Sequence, residues 1–399
     1  MTNKNLQRFL KYAKIDTQSD DTTGKTPSTE KQKKLGKLLV EELLELGLKD
    51  AHMDEWGVVY AHLEGEGHKI GLNAHMDTAL EVSGKDVNPQ IITNYDGGDI
   101  NYLNGLIMNP SMFPSLKKHI GHDLVIGDGN TLLGGDDKSG IAIIMSVLEY
   151  LKDHPEIKHN TICVAFTVDE EIGEGAAHFN YEKMGADFAY TIDGANIDYI
   201  EFENFNASGV DIEIDGVSIH PGEGKNKLVN AILVANEMLN ALPKNETPFD
   251  SELKEGFWHV TDIEGGSDKV KLHMIIRDFE LSGINRRLML IEEAKKKALD
   301  KFPTAKIKIE TKYQYENMRT YVKKNPLPVK LADEALRKNG FEPIHAAIRG
   351  GTDGATFSKN GLICPNLGTG SYNHHGRFEY LDVYEFEQMI QIVLDIIKL

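Results

Sequence analysis

Five short polar clusters in the sequence contain residue types that could bind metal or exchange protons. They are residues 75–78, 134–140, 169–171, 193–194 and 373–376. Three of these clusters directly follow apolar runs that are predicted strands. In an open α/β sheet, ligands bind beyond the carboxyl ends of the strands. These three clusters are therefore expected to line one crevice.

The residue types in the clusters indicate a metal centre built from imidazole and carboxylate groups. Such a set of ligands indicates a site for zinc, manganese or cobalt rather than a thiolate site. Five of them, including one bridging carboxylate, suffice for two cations about 3.5–4 Å apart, which together activate a shared water. Glu170 and Glu171 point to opposite sides of an extended chain. One of the pair can therefore bind metal while the other accepts a proton from the water.

Each cluster also has an ordinary structural interpretation. Glu170 and Glu171 could be a solvated acidic pair, and His75 could be a hydrogen-bonded core histidine. Asp136 and Asp137 could cap the helix predicted to begin near residue 139. The turn formed by residues 134–139 also resembles a phosphate-binding loop. In that motif, however, glycine must precede the lysine, and here Asp137 occupies that position. The occurrence of all the clusters at successive strand ends favours the metal centre.

The elements that must position these clusters are predicted to form two domains, because 399 residues are too many for one ordinary core. Helical and strand patterns alternate over residues 1–204 and 317–399, which predicts an α/β catalytic domain with a mostly parallel sheet. Between them, residues 205–316 alternate polar and apolar side chains in strands separated by helices. This pattern predicts an inserted α+β domain of split βαβ, ferredoxin-like type.

Composition narrows the classes of partner. The net charge of −18 argues against nucleic acid and against an anionic membrane as partners. No stretch approaches the roughly 18 uninterrupted apolar residues of a membrane span. Cys163 and Cys364 both lie in apolar runs, which predicts buried free thiols. The N-terminal segment has no secretory-signal pattern, so a cytoplasmic location is expected.

The order and spacing of the clusters resemble those of the two-zinc exopeptidase family that includes carboxypeptidase G. The matching motifs are H-x-D-T at 75–78, G-x-D-D-K at 134–138, D-E-E-x-G at 169–173, an aspartate at 193 and histidine-glycine at 375–376. The resemblance covers nearly the whole chain. Within the family it is nearest to the tripeptide aminopeptidases, through residues 88–98, 131–140, 348–354 and 372–376.

The resemblance implies a division of metal ligands between two zinc ions, with Mn²⁺ or Co²⁺ as alternatives. His75 and Asp193 would bind one ion, Glu171 and His375 the other, and Asp136 would bridge both. It further implies that Glu170 is the general base. Asp77 would orient His75.

The inserted domain resembles the lid and dimerisation domain of the same family, which implies a possible homodimer. There His220 is expected to stabilise the oxyanion, while Arg277 and Arg349 would hold the substrate carboxylate or backbone. Structural salt bridges for the arginines, and a simple turn for His220, remain alternatives.

The expected activity is removal of the N-terminal residue from short peptides with a free N-terminus, chiefly tripeptides. Residues 88–98 are expected to contribute to the pocket that selects this terminus. The alternatives are a two-zinc dipeptidase, a carboxypeptidase, an N-acyl amino acid deacylase and an inactive metal-stabilised scaffold.

Overall fold

A computed structural model describes residues 3–399 as two compact units. The first comprises the chain up to Phe202 together with Met318–Ala346 and Thr352–Leu399. The second comprises Glu203–Asn317 and Ala347–Gly351. The short segment 347–351, which the sequence analysis placed with the catalytic domain, thus belongs to the second unit.

The regular elements are as follows. The strands are β1 (His52–Met53), β2 (Val59–Leu63), β3 (Glu66–His75), β4 (Gln90–Ile92), β5 (Ile100–Asn101), β6 (Ile107–Met108), β7 (Leu124–Ile126), β8 (Asn160–Thr167), β9 (Phe188–Gly194), β10 (Tyr199–Asn204), β11 (Asn206–Asp215), β12 (Phe257–Gly265), β13 (Lys269–Asp278), β14 (Lys306–Tyr315), β15 (Ile344–Ile348), β16 (Asn366–Gly368), β17 (Ser371–Tyr372) and β18 (Tyr380–Asp382). The α-helices are α1 (Lys4–Ala13), α2 (Gln32–Leu46), α3 (Gly135–Asp153), α4 (Tyr181–Met184), α5 (Ala231–Asn240), α6 (Leu281–Lys301), α7 (Arg319–Val322), α8 (Leu327–Lys338), α9 (Asp353–Lys359) and α10 (Val383–Ile397).

The first unit is built on an eight-stranded sheet with the order β1-β2-β8-β3-β9-β16-β10-β15. Its centre is parallel, because β3 pairs in parallel with β8 and β9, and β16 pairs in parallel with β9. Every residue of β8 is buried, as expected for a strand covered on both faces. The predicted α/β sheet is confirmed.

Helices of the first unit follow the predicted apolar spacing. In α2 the side chains of Leu35, Leu39 and Leu43 are buried on one face, and the helix ends at Gly47 with a left-handed φ of 100°. α3 packs on β3 and β9 and also contacts α1 and α10. This helix therefore fixes the turn at its own N-terminus against the centre of the sheet.

A smaller antiparallel sheet, of order β17-β18-β7-β4, was not predicted from the sequence. Its strands are only two or three residues long. They contribute residues to a separate apolar cluster that includes Tyr95, Tyr102, Met108 and Tyr380. The loop between β17 and β18 carries residues 373–376, so this sheet supports one of the five polar clusters.

The second unit is a four-stranded antiparallel sheet of order β12-β13-β11-β14 with α5 and α6 packed on it. The chain order β-α-β-β-α-β with this strand order is the ferredoxin-like arrangement, which confirms the predicted fold. In β11, Val210, Ile212 and Ile214 face the core while Asp211 and Asp215 are exposed. Across the described residues, 3–399, no helix has the length and apolarity needed to cross a membrane.

Candidate metal centre

Three of the polar clusters lie side by side at one edge of the large sheet. β3 ends at His75, β8 ends immediately before the 169–171 cluster, and β9 carries Asp193 at its end. These strands are adjacent and parallel, with β3 between β8 and β9. The side chains that the sequence placed at separate strand ends therefore converge.

The two carboxylate oxygens of Asp136 face two different histidines. Asp136 Oδ1 lies 2.9 Å from His75 Nε2, and Asp136 Oδ2 lies 3.4 Å from His375 Nε2. The same nitrogen of His75 is 3.4 Å from Asp193 Oδ1, and that of His375 is 2.9 Å from Glu171 Oε2. Two groups of ligand-type atoms thus share one carboxylate, which is the geometry of a bridging ligand.

The donor set fits a pair of divalent cations. Ligand atoms of His75, Asp136 and Glu171 all lie within 4.8 Å of one another. Glu171 Oε1 is buried and accepts no hydrogen bond from the described residues. Burial, with the negative charge of Asp136 adding to it, raises the pKa of Glu171 to about 7. A bound cation would satisfy the free oxygen and relieve the repulsion between the carboxylates.

Asp137 lies close enough to His75 and Asp193 to form a second group of ligand-type atoms. Its oxygens are already engaged, because Oδ2 accepts the His75 N–H at 3.2 Å and Oδ1 accepts the Gly140 N–H at 3.1 Å. Asp137 therefore ties the end of β3 to the start of α3. Gly140 permits this approach, since a Cβ there would stand 1.9 Å from the carbonyl oxygen of Ile192.

Asp77 connects the first metal-binding cluster to the acidic turn. Its carboxylate lies 3.3 Å from His75 Nδ1 and accepts the N–H groups of Glu170 and Glu171 at 3.1 and 3.2 Å. A carboxylate on the far nitrogen of a ligand histidine fixes the tautomer and the direction of the ring. Asp77 is the residue that the sequence analysis predicted to orient His75.

The turn that presents Glu170 is held from the opposite side by Asp169, which has a left-handed φ of 58°. Asp169 accepts the backbone N–H of Ser28 at 2.7 Å and the side-chain N–H of Gln32 at 2.6 Å. The Glu170 side chain is thereby directed into the acidic cluster. Burial raises its pKa well above the usual range, with the charge of Asp193 adding to this effect and that of His75 opposing it.

Three further groups at this centre were not assigned from the sequence; Asp353 and Glu379 are buried and His374 is half-buried. Asp353 Oδ2 accepts the hydroxyl of Thr167 at 2.8 Å, and His374 Nδ1 lies 3.3 Å from Asp136 Oδ2. Glu379 accepts backbone N–H groups of the turn before α3. Asp353 lies inside the 348–354 segment that carries the family resemblance, and His374 precedes the expected ligand His375. No sequence pattern marks Glu379.

Two of the residues expected to contact substrate lie in the strands and loops of the second unit. His220 is exposed and begins the short 3₁₀ turn Pro221–Glu223. Arg277 lies near the end of β13, with its guanidinium carbon 5.3 Å from the centre of the Tyr315 ring.

Arg349, the third such residue, also lies in the second unit and binds its own chain. Its guanidinium donates to the carbonyl oxygens of Leu253 and Glu255 at 2.7 and 3.1 Å, and to the Ser251 hydroxyl at 2.9 Å. It also lies over the ring of Phe205, 5.2 Å from its centre. A substrate carboxylate could bind Arg349 only by displacing these contacts. The guanidinium of Arg277 has one such hydrogen bond, to the carbonyl oxygen of its neighbour Ile276.

A candidate carboxylate–histidine centre at the carboxyl ends of a largely parallel sheet is typical of metal-dependent hydrolases. The sequence model of peptidase family M20/M25/M40 matches residues 128–399, and the chain belongs to this family. The resemblance stated from the sequence motifs is confirmed.

Relatives match almost the entire chain. Peptidase T of Clostridium perfringens strain 13 is 47% identical over 397 residues, which is 98% of each protein. Peptidase T of Shouchella clausii is 46% identical over 99% of this chain and 97% of its own. Among solved structures, a tripeptidase from Staphylococcus aureus has a TM-score of 0.79 at 24% identity, covering 98% of this chain and 96% of its own. The aminopeptidase PepT from Bacillus cereus has a TM-score of 0.77 at 22% identity, covering 98% and 97%. These structures share the fold.

Proposed function

We propose that this protein is a metal-dependent aminopeptidase that releases the N-terminal residue of short peptides, chiefly tripeptides. The observation that carries the metal-dependent part is the position of Asp136, whose two oxygens face His75 and His375. The choice of peptide substrate is supported by full-length relatives named Peptidase T at 44–47% identity. A cytoplasmic location is part of the proposal and is consistent with two free, buried cysteines.

The proposed cofactor is a pair of Zn²⁺ ions, for which Mn²⁺ or Co²⁺ could substitute. His75 and Asp193 would hold one ion and Glu171 and His375 the other, with Asp136 shared. When bound, such a pair would supply Lewis acidity and would bring the pKa of a bound water into the neutral range. The protein's part is to hold the ligands, and Asp77 does so for His75 through the 3.3 Å contact.

Glu170 is the proposed general base. It accepts a proton from the attacking water as the water oxygen bonds to the first peptide carbonyl of the substrate. When the peptide C–N bond breaks, Glu170 returns this proton to the departing nitrogen. The products are a free amino acid and a peptide shortened by one residue. His220 is proposed to donate a hydrogen bond to the developing oxyanion.

Arg277 is the proposed partner of the substrate's C-terminal carboxylate, which would set a limit on peptide length. Replacing it with alanine is expected to raise KM for Met-Gly-Gly and to leave KM for the C-terminal amide nearly unchanged. Arg349→Ala is the comparison, because the Arg349 donors bind the chain's own carbonyls. Equal effects of Arg277→Ala on the acid and the amide would exclude this role.

The second unit also supports a homodimer. Arg277 pairs with Ala207 at the start of β11, whereas His220 lies five residues beyond the other end of that strand at Asp215. The intervening strand spans about 27 Å, and an extended tripeptide spans about 10 Å. Because the two residues belong to opposite ends of this strand, we propose that a second copy of the chain supplies one of them to each active site.

Heterodimers test this arrangement. Glu170→Gln and His220→Ala chains would be co-expressed with different tags and purified as mixed dimers. If His220 acts on the partner's substrate, one of the two sites in each mixed dimer is intact, and about half of the wild-type activity is expected. Activity no higher than that of the two parent variants would contradict a His220 supplied by the second copy.

A substrate series tests the choice of peptide. Met-Gly, Met-Gly-Gly and Met-Gly-Gly-Gly would be compared by kcat/KM, with products identified by mass spectrometry. The proposal predicts the tripeptide as the best substrate and methionine as the first product. A clear preference for Met-Gly would favour a dipeptidase, and initial release of glycine would favour a carboxypeptidase. Preference for an N-acyl amino acid would favour a deacylase.

A further inference from the structure

Glu379 accepts three backbone N–H groups from the turn that presents Asp136. Its Oε2 atom accepts from Leu133 at 2.7 Å and Gly134 at 2.8 Å, and its Oε1 atom accepts from Asp136 at 2.9 Å. The carboxylate is almost completely buried, with a relative exposure of 1%. One anion therefore binds the whole turn through charge-assisted hydrogen bonds.

The turn needs such an acceptor because its backbone is irregular. Gly134 is left-handed at φ 78°, and Asp136 has non-helical angles of φ −86° and ψ 106° at the start of α3. Amide groups in this conformation are not paired within a helix, and buried amides without partners destabilise a fold. Glu379 supplies these acceptors at the turn from which the Asp136 side chain projects.

The turn is also packed closely around this carboxylate. A Cβ added at Gly135 would lie 3.1 Å from Glu379 Oε1 and 2.1 Å from Ser371 Oγ. Position 135 therefore has no room for a larger residue unless its neighbours move. Lys138, fully buried beneath the same turn, places a positive charge near the Glu379 carboxylate.

Glu379 and His375 lie on the same loop, between the paired strands β17 and β18. His375 faces Asp136 Oδ2, and Glu379, four residues later, holds the Asp136 main chain. One loop thus carries a candidate ligand and the group that fixes the shared ligand. The loop therefore contacts Asp136 twice, at its main chain through Glu379 and at its side chain through His375.

We propose that Glu379 is a positioning residue that holds the Asp136 carboxylate between His75 and His375, so that both metal positions form together. The inference rests on the metal centre of the proposed function. It concerns metal binding and does not depend on which peptide is cleaved.

Glu379→Gln is the test variant, because glutamine fills the same space and has only one acceptor oxygen. Its NH₂ group would face at least one backbone N–H of the turn, so a hydrogen bond is lost. Asp382→Asn is the matched control. Asp382 is a buried carboxylate on β18 that accepts the Glu385 N–H at 2.8 Å and pairs with His122 Nδ1 at 2.7 Å, and both partners lie outside the turn before α3. Both apo proteins would be titrated with Co²⁺ by calorimetry and visible spectroscopy.

The expected result for Glu379→Gln is a tenfold or greater loss of Co²⁺ affinity, the usual cost of losing a group that orients a ligand. The visible Co²⁺ spectrum should change as well, while Asp382→Asn keeps both the wild-type affinity and spectrum. If Glu379→Gln does not fold, Glu379→Asp, which keeps the charge but shortens the side chain, is read in the same way.

Wild-type affinity, stoichiometry and spectrum in a Glu379 variant would overturn the inference, even if its melting temperature were lower. A protein that binds two Co²⁺ ions as described but cleaves no peptide would refute the proposed function and leave this inference standing. The positioning role of Glu379 and the proposed peptidase activity can therefore be refuted independently.

Discussion

Glu170→Gln isolates proton transfer from metal binding more cleanly than any other change at the centre. Glutamine keeps the size and shape of the side chain but cannot accept the proton of the attacking water. The main chain of the turn should be unaffected, because it is held by Asp77 and by the contacts of Asp169 with Ser28 and Gln32. Loss of activity can then be read as loss of the base.

The expected size of the effect follows from the role. A positioned general base contributes a factor of about 10² to 10⁴ in rate. This corresponds to about 3 to 5 kcal/mol of activation free energy. The loss should appear in kcat, because Glu170 acts on the water as the transition state forms, and KM for Met-Gly-Gly should change little.

The assay combines steady-state kinetics with metal content by atomic spectroscopy. Glu174→Gln is the matched control, since Glu174 is an exposed carboxylate of the same loop and should be replaceable without effect. Glu170→Gln with two metals per chain and greatly reduced kcat supports the assignment. Loss of metal together with activity would instead make Glu170 a ligand, and a kcat near the wild-type value would refute the base.

Three further predictions concern the packing, the thiols and the metals. Gly140→Ala should lower the free energy of unfolding measured in urea by several kcal/mol, since its Cβ would stand 1.9 Å from the Ile192 carbonyl oxygen; wild-type stability would contradict this close contact. Neither cysteine should react with a thiol reagent in the native protein, because Cys163 and Cys364 are fully buried and burial raises the pKa of Cys364 to about 12. Both cysteines should react in denaturant. Rapid reaction of the native protein would contradict their burial and show that the sheet opens. Removing metal with a chelator should lower the melting temperature, since a ligand at about 100 times its Kd stabilises a fold by about 2.7 kcal/mol; an unchanged melting temperature would contradict a metal bound only by the folded state.

The general fold was predictable because its strands carry strong patterns. The buried run of β8 and the alternation along β11 correspond to a sheet covered on both faces and a sheet with one exposed face. The convergence of His75, Asp193 and the 169–171 cluster followed from one rule about strand ends. The smaller sheet was missed because strands of two or three residues give too few alternations to recognise.

The supporting groups of the site were harder to predict than its ligands. A ligand histidine is marked by its residue type and by the motif around it. Glu379 acts through backbone N–H groups more than 240 positions away along the chain, and such contacts leave no local pattern. The hydrogen bonds of the Arg349 guanidinium could likewise not be predicted from the sequence, because its acceptors are main-chain carbonyls of the 251–255 loop.

Hydrolysis of Met-Gly-Gly beside N-acetyl-Met-Gly-Gly, with and without a chelator, tests the central claim most directly. A metal-dependent aminopeptidase should release methionine from the free peptide alone, lose that activity when the metal is removed and regain it when Zn²⁺ is added. Cleavage that persists in chelator would contradict the metal centre built around Asp136. Equal cleavage of the acetylated peptide, or first release of the C-terminal glycine, would contradict the aminopeptidase assignment.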